Sequence, residues 1–431
     1  MKILKELFAY LVVLGFIVLV SIGITGHVFT KAHKDGFEQL NVAEKLFYQV
    51  GHFFSFGFNN SDQLTLDPTK LAKARELIFD LPELQTKNWA DFENKLNLDQ
   101  KILISILDVS SSTWKAYLLS LDQKDTLHTW SIDQAFITEH TNTKDLHRSR
   151  IKHPYMLPDT SLVFEMHKEE NLYCLDKNSN LKWKTKVNAH HSLNPDSHGN
   201  IWFCAGKDTT LPENFWDEYL VQANTDGEIL QKISIYSLLK NNGFYDLIAS
   251  SAVNEQNVFH LNDIQPSLSA TKYWNQGDLF ISLRNLNMVL LYRPENDSIL
   301  WHSFGPWHSQ HDVDIVSDST ILVFNNNRVS KKQQKIHTSV FDTKSNIVRY
   351  DFSNGQFEVL LTNYANEHDF YTDIEGSQEL LNDSILIIEE TMKGRYHLVN
   401  LNDPNEFETF SFTQFLDNQR YYPRMNWFRV Y

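Results

Sequence analysis

Cysteine and excess positive charge are what this sequence lacks most clearly. Only two cysteines, Cys174 and Cys204, occur in 431 residues, which excludes a disulfide-stapled scaffold. Both lie in apparent strands and are interpreted as small buried residues, although one bond between them stays arithmetically possible. The formal net charge of −15 argues against nucleic acid as a partner, because phosphate contacts need a basic face. An anion site must therefore be a local pocket that works against the overall charge.

Long apolar runs are also scarce, and the clearest one lies at the N-terminus. No charged residue occurs from Leu7 to Thr30, which is enough helix to cross a hydrocarbon core of about 30 Å. No clear small-x-small cleavage site follows this run. We therefore predict an uncleaved anchor at residues 1–30 that enters the cytoplasmic membrane through residues 7–28. The large domain is then expected on the periplasmic or extracytoplasmic side, and a cleaved signal peptide would give the same compartment.

Residues 31–98 are predicted to form a helical collar. Apolar residues recur at helical spacing in "FEQLNVAEKLFYQVGHFF". In "LDPTKLAKARELIFDLPEL", Asp67 is a helix N-cap, Pro68 occupies the first helical position and Pro82 ends the helix. This collar is a candidate surface for another protein of the cell envelope.

From residue 99 to residue 431 the sequence repeats short strands and turns. The segments "LPDTSLVF", "HGNIWF", "QGDLFIS" and "LNDSILI" each place a turn before a strand of the same kind. Six such units of very roughly fifty residues predict a mainly β chain with a six-bladed β-propeller. A β-sandwich is the alternative, which these repeated segments disfavour. The terminal "MNWFRVY" also alternates, and we expect it to add a strand to the first blade and close the ring.

Histidines precede the innermost strand in three successive units. His190 and His191 lie in "AHHSLNPDSHGNIW", His260 lies in "FHLNDIQPS", and His311 lies in "SQHDVDIV". Equivalent positions of successive blades converge on the propeller axis, so these imidazoles are expected to meet in one funnel with Arg284. A single histidine before a strand is more often a structural residue, but three at matching positions favour a shared site.

These segments together resemble the aryl sulfotransferases that use no nucleotide sulfate donor. The likeness covers about residues 115–400 and rests on "HLNDIQPS", "QGDLFISLRNLNMVLLYRPENDSILWHSFGP", "QHDVDI" and "ILVFNN". It implies a six-bladed propeller of the bacterial cell envelope. It also implies transfer of a sulfuryl group from an aryl sulfate donor to a phenolic acceptor through a sulfohistidine, with no cofactor and no metal.

The resemblance assigns roles to individual residues. It implies that His311 is the nucleophile, that His191 and His260 bind the sulfuryl group with His190 as a further contact, and that Arg284 is the cation. A neutral imidazole is a competent nucleophile near neutral pH, and a guanidinium offers a planar fork for two sulfate oxygens. Sulfuryl transfer resembles phosphoryl transfer, in which positioning and charge stabilisation are the tasks of the protein.

Four further residues are candidates for binding the substrate or orienting His311. Asn262 and Gln378 are predicted substrate-binding residues, although Asn262 also suits a turn and Gln378 suits a polar start of the last blade. Asp312 and Asp314 are candidates for orienting His311, although strand alternation points one of them away.

Two other functions stay open. Histidines around a propeller axis could ligate a metal, although a guanidinium in the same funnel disfavours a metal ion. A non-catalytic propeller that acts as a binding scaffold in the envelope is the second alternative.

Overall fold

The computed structural model describes residues 86–142, 146, 149–166, 169–208, 215–252, 256–328, 344–416, 419–421 and 427–431. These residues belong to a compact unit that runs from Pro68 to Tyr431. The predicted anchor and most of the predicted collar lie outside the described residues. Within the described ranges, no helix has the length and apolar character needed to cross a membrane.

Six sheets repeat along the described chain, and we call them blades 1 to 6. A short strand, β1 (Lys87–Asn88), precedes them. Blade 1 contains β2 (Lys101–Asp108), β3 (Thr113–Ser120) and β4 (Asp125–Ile132). Blade 2 contains β5 (Ile151–Met156), β6 (Leu162–Met166), β7 (Asn171–Leu175) and β8 (Leu181–Lys186). Blade 3 contains β9 (Ala189–Pro195), β10 (Ile201–Asp208), β11 (Asp217–Ala223) and β12 (Ile229–Ser234).

The second half of the chain continues the pattern. Blade 4 contains β13 (Leu261–Pro266), β14 (Leu279–Leu283), β15 (Met288–Arg293) and β16 (Ser298–Ser303). Blade 5 contains β17 (Val313–Ile315), β18 (Thr320–Asn325), β19 (Asn346–Asp351) and β20 (Gln356–Leu360). Blade 6 contains β21 (Ser377–Leu380), β22 (Ile385–Glu390), β23 (Arg395–Asn400) and β24 (Phe407–Ser411). Neighbouring strands of each blade are antiparallel and follow each other in the chain, which confirms the predicted six-bladed propeller.

The ring is closed by both ends of the described chain. After a small hairpin of β25 (Gln414–Leu416) and β26 (Gln419–Tyr421), the terminal β27 (Arg429–Val430) pairs antiparallel with β2 of blade 1. This pairing confirms the closing strand predicted from "MNWFRVY". In addition, β1 pairs parallel with β24 and becomes a fifth strand of blade 6, which was not predicted. Of the predicted collar, the described residues 86–98 contain β1 and a 3-10 helix at Trp89–Asp91.

Short helices join some of the blades. The first, α1 (Gln134–His140), connects blades 1 and 2, and its N-cap Asp133 accepts a hydrogen bond from the Phe136 amide. The pair α2 (Ile235–Asn241) and α3 (Tyr245–Ala252) lies between blades 3 and 4, and α4 (Thr362–Glu367) lies between blades 5 and 6.

The apolar core lies between neighbouring blades. In β2, Ile102, Ile104 and Ile106 pack against blade 6, whereas Leu103 and Leu107 pack against blade 2. This period of two explains why the strand is apolar on both faces, since each face meets another blade. Equivalent clusters occupy the other blade interfaces. The propeller therefore holds its innermost strands in fixed positions around one axis.

Cys174 and Cys204 lie in two different clusters of this core. Both thiols are free and buried, which confirms their interpretation as small buried residues. Burial raises the pKa of the Cys174 thiol to about 12, so this side chain is inert near neutral pH.

Candidate active site

The predicted histidine funnel is a cavity of about 700 Å³. We call it the histidine cavity, because His190, His191, His260 and His311 line it together with Arg284. The ring centre of His191 lies 5.4 Å from that of His260 and 6.4 Å from that of His311. Residues that are far apart in the sequence thus meet at one place, as expected for matching positions of successive blades.

The backbone near the start of the innermost strands is strained. In all six blades a residue other than glycine has a positive φ there, namely His153, His191, His260, Ser309, Glu375 and Trp427. Such left-handed conformations are sparsely populated by L-residues and cluster at functional sites. Three ladders also shift register nearby, between Lys152 and Tyr155, between Ala189 and Leu193, and between Leu261 and Asp263. Irregularities of this kind re-aim side chains, here toward the axis.

His311 is a neutral imidazole with a defined tautomer. Its Nδ1 contacts the side-chain oxygen of Asn326, and its Nε2 accepts a hydrogen bond of 3.1 Å from the backbone N–H of Glu375. The amide oxygen can only accept, so the hydrogen-bond network assigns the proton to Nδ1 and the lone pair to Nε2. Burial and the nearby Arg284 lower the pKa of His311 to about 3. The imidazole therefore stays uncharged at neutral pH.

Asn326 has its own orientation fixed. Its side-chain N–H group donates to the carbonyl oxygens of Thr372 and Glu375, at 3.0 Å and 2.7 Å. The amide oxygen is thereby left to face His311. Asn326 was not identified from the sequence, where it stands among three consecutive asparagines at the end of a strand.

His260 has the opposite tautomer. The side-chain N–H group of Asn257 donates to Nδ1 of His260 at 2.8 Å, so the proton is on Nε2. Burial, and next the charge of Arg284, hold the pKa of His260 well below its usual range. The backbone N–H of Arg284 donates to the His260 carbonyl at 3.0 Å, which fixes the 3-10 helix of Arg284 beside this histidine. His260 and Arg284 can thus donate to the same anion.

His190 and His191 contact each other through their Nδ1 atoms, which lie 2.8 Å apart. On its other edge, the Nε2 of His190 lies 3.4 Å from Oε1 of Glu218. Gly206 makes room for His190, because a Cβ atom there would lie 2.9 Å from the imidazole Nε2. Burial raises the pKa of Glu218 to about 8, so this carboxyl carries a proton at neutral pH. Glu218 was missed in the sequence, where its only signal is an acidic residue opening an apolar strand.

Two further cations were also missed. Lys152 lines the histidine cavity, and its Nζ lies 3.6 Å from Oε1 of Glu165 and 3.7 Å from Oε1 of Glu375. The guanidinium of Arg150 donates to the same Glu375 oxygen at 3.1 Å. Glu375 therefore links the nucleophile candidate, through its backbone, to two buried cations, through its side chain. Only "RIKHPY", a basic run at the start of β5, hints at these residues in the sequence.

Gln378 does not reach the histidine cavity. It lines a second cavity of about 420 Å³, with Asp263, Asp312, Asp314 and Glu379. We call this the acidic cavity. The Gln378 backbone N–H donates to Asp312 at 2.9 Å, and its side-chain N–H group donates to Asp314 at 3.1 Å.

Four further candidates, Asn262, Asp312, Asp314 and Gln378, are not among the residues that line the histidine cavity. Asp312 and Asp314 both line the acidic cavity, and Asn326 is the side chain that orients His311. Asn262 lies in β13 with its side-chain N–H group bonded to the Gln310 carbonyl at 3.0 Å, outside the residues that line the histidine cavity. The substrate-binding roles of Asn262 and Gln378 stay predictions.

The sequence left open that histidines around the propeller axis ligate a metal. Among the residues that the structure describes, no group of three or more His, Cys, Asp or Glu side chains is arranged to hold a metal ion.

Comparison with known proteins identifies one family. The profile of the family described as Arylsulfotransferase (ASST) matches residues 153–412, which include all five predicted residues of the histidine cavity. No curated protein matches the sequence.

Several solved structures are similar at low identity. A Bacteroides caccae protein of unknown function is 11% identical, with coverage of 77% of this chain and 98% of that chain and a TM-score of 0.39. TolB from Acinetobacter baumannii is 10% identical, with coverage of 77% of this chain and 66% of that chain and a TM-score of 0.45. A third similar structure is a catalytically inactive virginiamycin B lyase from Staphylococcus aureus, solved with quinupristin. It is 13% identical, with coverage of 63% of this chain and 72% of that chain and a TM-score of 0.36. No conclusion about function follows from these values.

Proposed function

The chain belongs to the arylsulfotransferase (ASST) family, and from this premise we propose that it transfers a sulfuryl group from an aryl sulfate to a phenol through a sulfohistidine at His311. The observation that supports this proposal best is a neutral, oriented imidazole in one cavity with three further imidazoles and a guanidinium. Such a set offers a nucleophile and the donors that a sulfate ester needs.

Donor binding is the first step. The fork of Arg284 and the Nε2–H of His260 donate to the sulfuryl oxygens, which places sulfur within reach of His311. Arg284 is only 9% exposed, so its charge is weakly screened by water. Arg284 and Lys152 thus place positive charge in a cavity that glutamates also line.

Attack on sulfur is the second step. Nε2 of His311 exchanges its hydrogen bond with the Glu375 amide for a bond to sulfur, and the bond between sulfur and the aryl oxygen breaks. The displaced Glu375 N–H then faces the sulfuryl oxygens as a donor. Positive charge develops on the imidazole, and the oxygen of Asn326 stabilises it through the Nδ1 proton. A phenol reverses these steps and leaves with the sulfuryl group.

Steady-state kinetics test this function. The purified full chain is given 4-nitrophenyl sulfate as donor and phenol as acceptor, and release of nitrophenolate is followed. A covalent intermediate predicts parallel double-reciprocal plots, because donor and acceptor react in separate half-reactions. Intersecting plots would contradict the sulfohistidine. Absence of turnover with any aryl sulfate would favour the binding scaffold.

We also propose that residues 1–30 anchor the enzyme in the cytoplasmic membrane with the propeller on the periplasmic side. The support is the uncharged run from Leu7 to Thr30. Protease added to intact spheroplasts should degrade the propeller. Protection of the propeller until the cells are lysed would overturn this topology.

A further inference from the structure

The hydrogen bonds of the cavity histidines lead to different kinds of partner. Nδ1 of His260 is bound by the Asn257 amide, and Nδ1 of His311 is bound by the Asn326 amide. Side-chain amides neither gain nor lose protons near neutral pH. Nδ1 of His191, in contrast, is bound by a second imidazole. A proton leaving the cavity through these contacts can therefore pass through His191 alone.

The path from His191 ends at a carboxyl group. His190 lies between, with its Nδ1 at 2.8 Å from His191 and its Nε2 at 3.4 Å from Oε1 of Glu218. The other carboxyl oxygen of Glu218, Oε2, accepts the backbone N–H of Leu261 at 2.8 Å. This bond holds the carboxyl so that Oε1 faces His190.

We propose that Glu218, His190 and His191 form a proton relay, which protonates the departing phenolate and later accepts the proton of the incoming phenol. The inference rests on the proposed sulfuryl transfer and adds to it the acid and base that two phenol half-reactions require. His191 contacts the substrate oxygen, and His190 and Glu218 act through His191.

The relay has two states that differ by one proton. When Glu218 is protonated, it donates to Nε2 of His190, whose Nδ1–H donates to Nδ1 of His191. The proton of His191 is then on Nε2, so this N–H group is the acid that faces the cavity. When Glu218 is ionised, both imidazoles have the opposite tautomer, so Nε2 of His191 is a base.

The first half-reaction uses the acid state. Nε2 of His311 forms the bond to sulfur, and the electron pair of the broken S–O bond stays on the phenolate oxygen. That oxygen takes the proton from Nε2 of His191. His191 then receives a proton at Nδ1 from His190, and His190 receives one at Nε2 from Glu218. The phenol leaves, and one negative charge has moved from the aryl sulfate to the Glu218 carboxylate.

The second half-reaction restores the enzyme. Nε2 of His191 takes the proton of the acceptor phenol while the phenol oxygen attacks sulfur. The N–S electron pair returns to His311, and the proton returns to Glu218. The raised pKa of Glu218 suits this role, because the carboxyl is protonated at rest but ionises readily near neutral pH.

Two donors with different leaving groups test the relay. 4-Nitrophenolate is a weak base that needs little protonation, whereas phenolate is a strong one. Glu218→Gln should therefore slow sulfuryl transfer from phenyl sulfate by about 100-fold or more, and transfer from 4-nitrophenyl sulfate by less than about tenfold. The glutamine keeps an oxygen for the Leu261 amide. His190→Asn breaks the relay in its middle and should change the ratio of the two rates in the same direction.

Glu165→Gln is the matched control. Glu165 is also buried and lines the same cavity, but its carboxyl pairs with Lys152 and meets His191 only at the backbone N–H, so it lies outside the path of the proton. This variant should leave the ratio of the two donor rates at the wild-type value, whatever its overall rate.

The outcomes distinguish a failure of the proposed relay from a failure of the proposed sulfuryl transfer. An active Glu218→Gln or His190→Asn protein with the wild-type donor ratio would overturn the relay and leave sulfuryl transfer standing. A wild-type protein that turns over neither donor would overturn both. If Glu218→Gln does not fold, the donor ratio of His190→Asn decides.

Discussion

The histidine cavity and the acidic cavity are both lined by residues of the innermost strands, yet these strands contribute histidines to the first and aspartates to the second. His260 lines the first and Asp263 the second, and His311 lines the first while Asp312 and Asp314 line the second. Residues near the start of each innermost strand thus face one cavity, and residues further along face the other. A shift of one to three residues along the chain therefore decides whether a side chain lines the histidine cavity or the acidic cavity.

Burial acts on both cavities in the same direction, toward neutral side chains. In the histidine cavity it holds the pKa of His191 well below its usual range. In the acidic cavity, burial and the neighbouring carboxylates raise the pKa of Asp312 and Asp314 well above theirs. Two cations, Arg284 and Lys152, line the first cavity beside its histidines, whereas Arg429 lines the second beside its clustered carboxyl groups. The comparison predicts that anions bind in the histidine cavity.

The largest expected effect comes from the nucleophile. His311→Asn should lower turnover of 4-nitrophenyl sulfate by on the order of 10⁴-fold or more, because no other group then carries the sulfuryl between substrates. Initial rates and a thermal melt measure activity and folding. Asp314→Asn, three residues further along the chain, is the control and should stay within about threefold of wild type. Comparable losses in both variants would remove the distinction between the cavities.

A smaller effect is expected from the cation. Arg284→Lys keeps a positive charge but loses the planar fork, so kcat/KM for aryl sulfate should fall by about 10- to 100-fold. Arg429→Lys makes the same change in the acidic cavity, where Arg429 donates to the Asn194 oxygen at 2.7 Å. That variant should change kcat/KM by less than about threefold. Equal effects on kcat/KM would contradict an anion site at Arg284.

The smallest effect concerns stability and pH. The raised pKa of Asp314 means that the folded state holds a proton that the unfolded chain has already released. This group therefore destabilises the fold increasingly as pH rises above about 4, the unfolded value, toward its folded pKa. Asp314→Asn should raise the melting temperature by a few degrees more at pH 8 than at pH 5.

In the histidine cavity, His311 gives the opposite dependence of stability on pH. The unfolded chain protonates its histidines near pH 6.5, whereas His311 in the fold resists protonation until about pH 3. Its contribution therefore lowers stability as pH falls below about 6.5. His311→Asn should reduce the loss of melting temperature between pH 7 and pH 5. A loss equal to that of wild type would mean that this imidazole is not held neutral.

The repeat and the histidine pattern were readable in the sequence because each blade reuses one turn and one strand type. That periodicity predicted the propeller, its closing strand, and the meeting of His191, His260 and His311. It also indicated Arg284, which follows a strand at a matching position.

Contacts between blades could not be read in the same way. Glu218 lies in β11 and Asn326 directly follows β18. The segment "ILVFNN" contributed to the resemblance, but neither local sequence shows that its residue contacts a histidine of another strand. Asp312 and Asp314 were misjudged for a simpler reason. Residues two apart on a strand point to the same side, so both turn away from His311, rather than one of them.

Direct detection of the intermediate is the measurement closest to the central claim. The full chain is incubated with 4-nitrophenyl sulfate and no acceptor, quenched at alkaline pH, digested and analysed by mass spectrometry. We predict the added mass of one sulfuryl group on the peptide that contains His311, and its loss after addition of phenol. A label on another residue, or an unmodified His311 peptide from enzyme that still turns over donor and acceptor, would contradict the account.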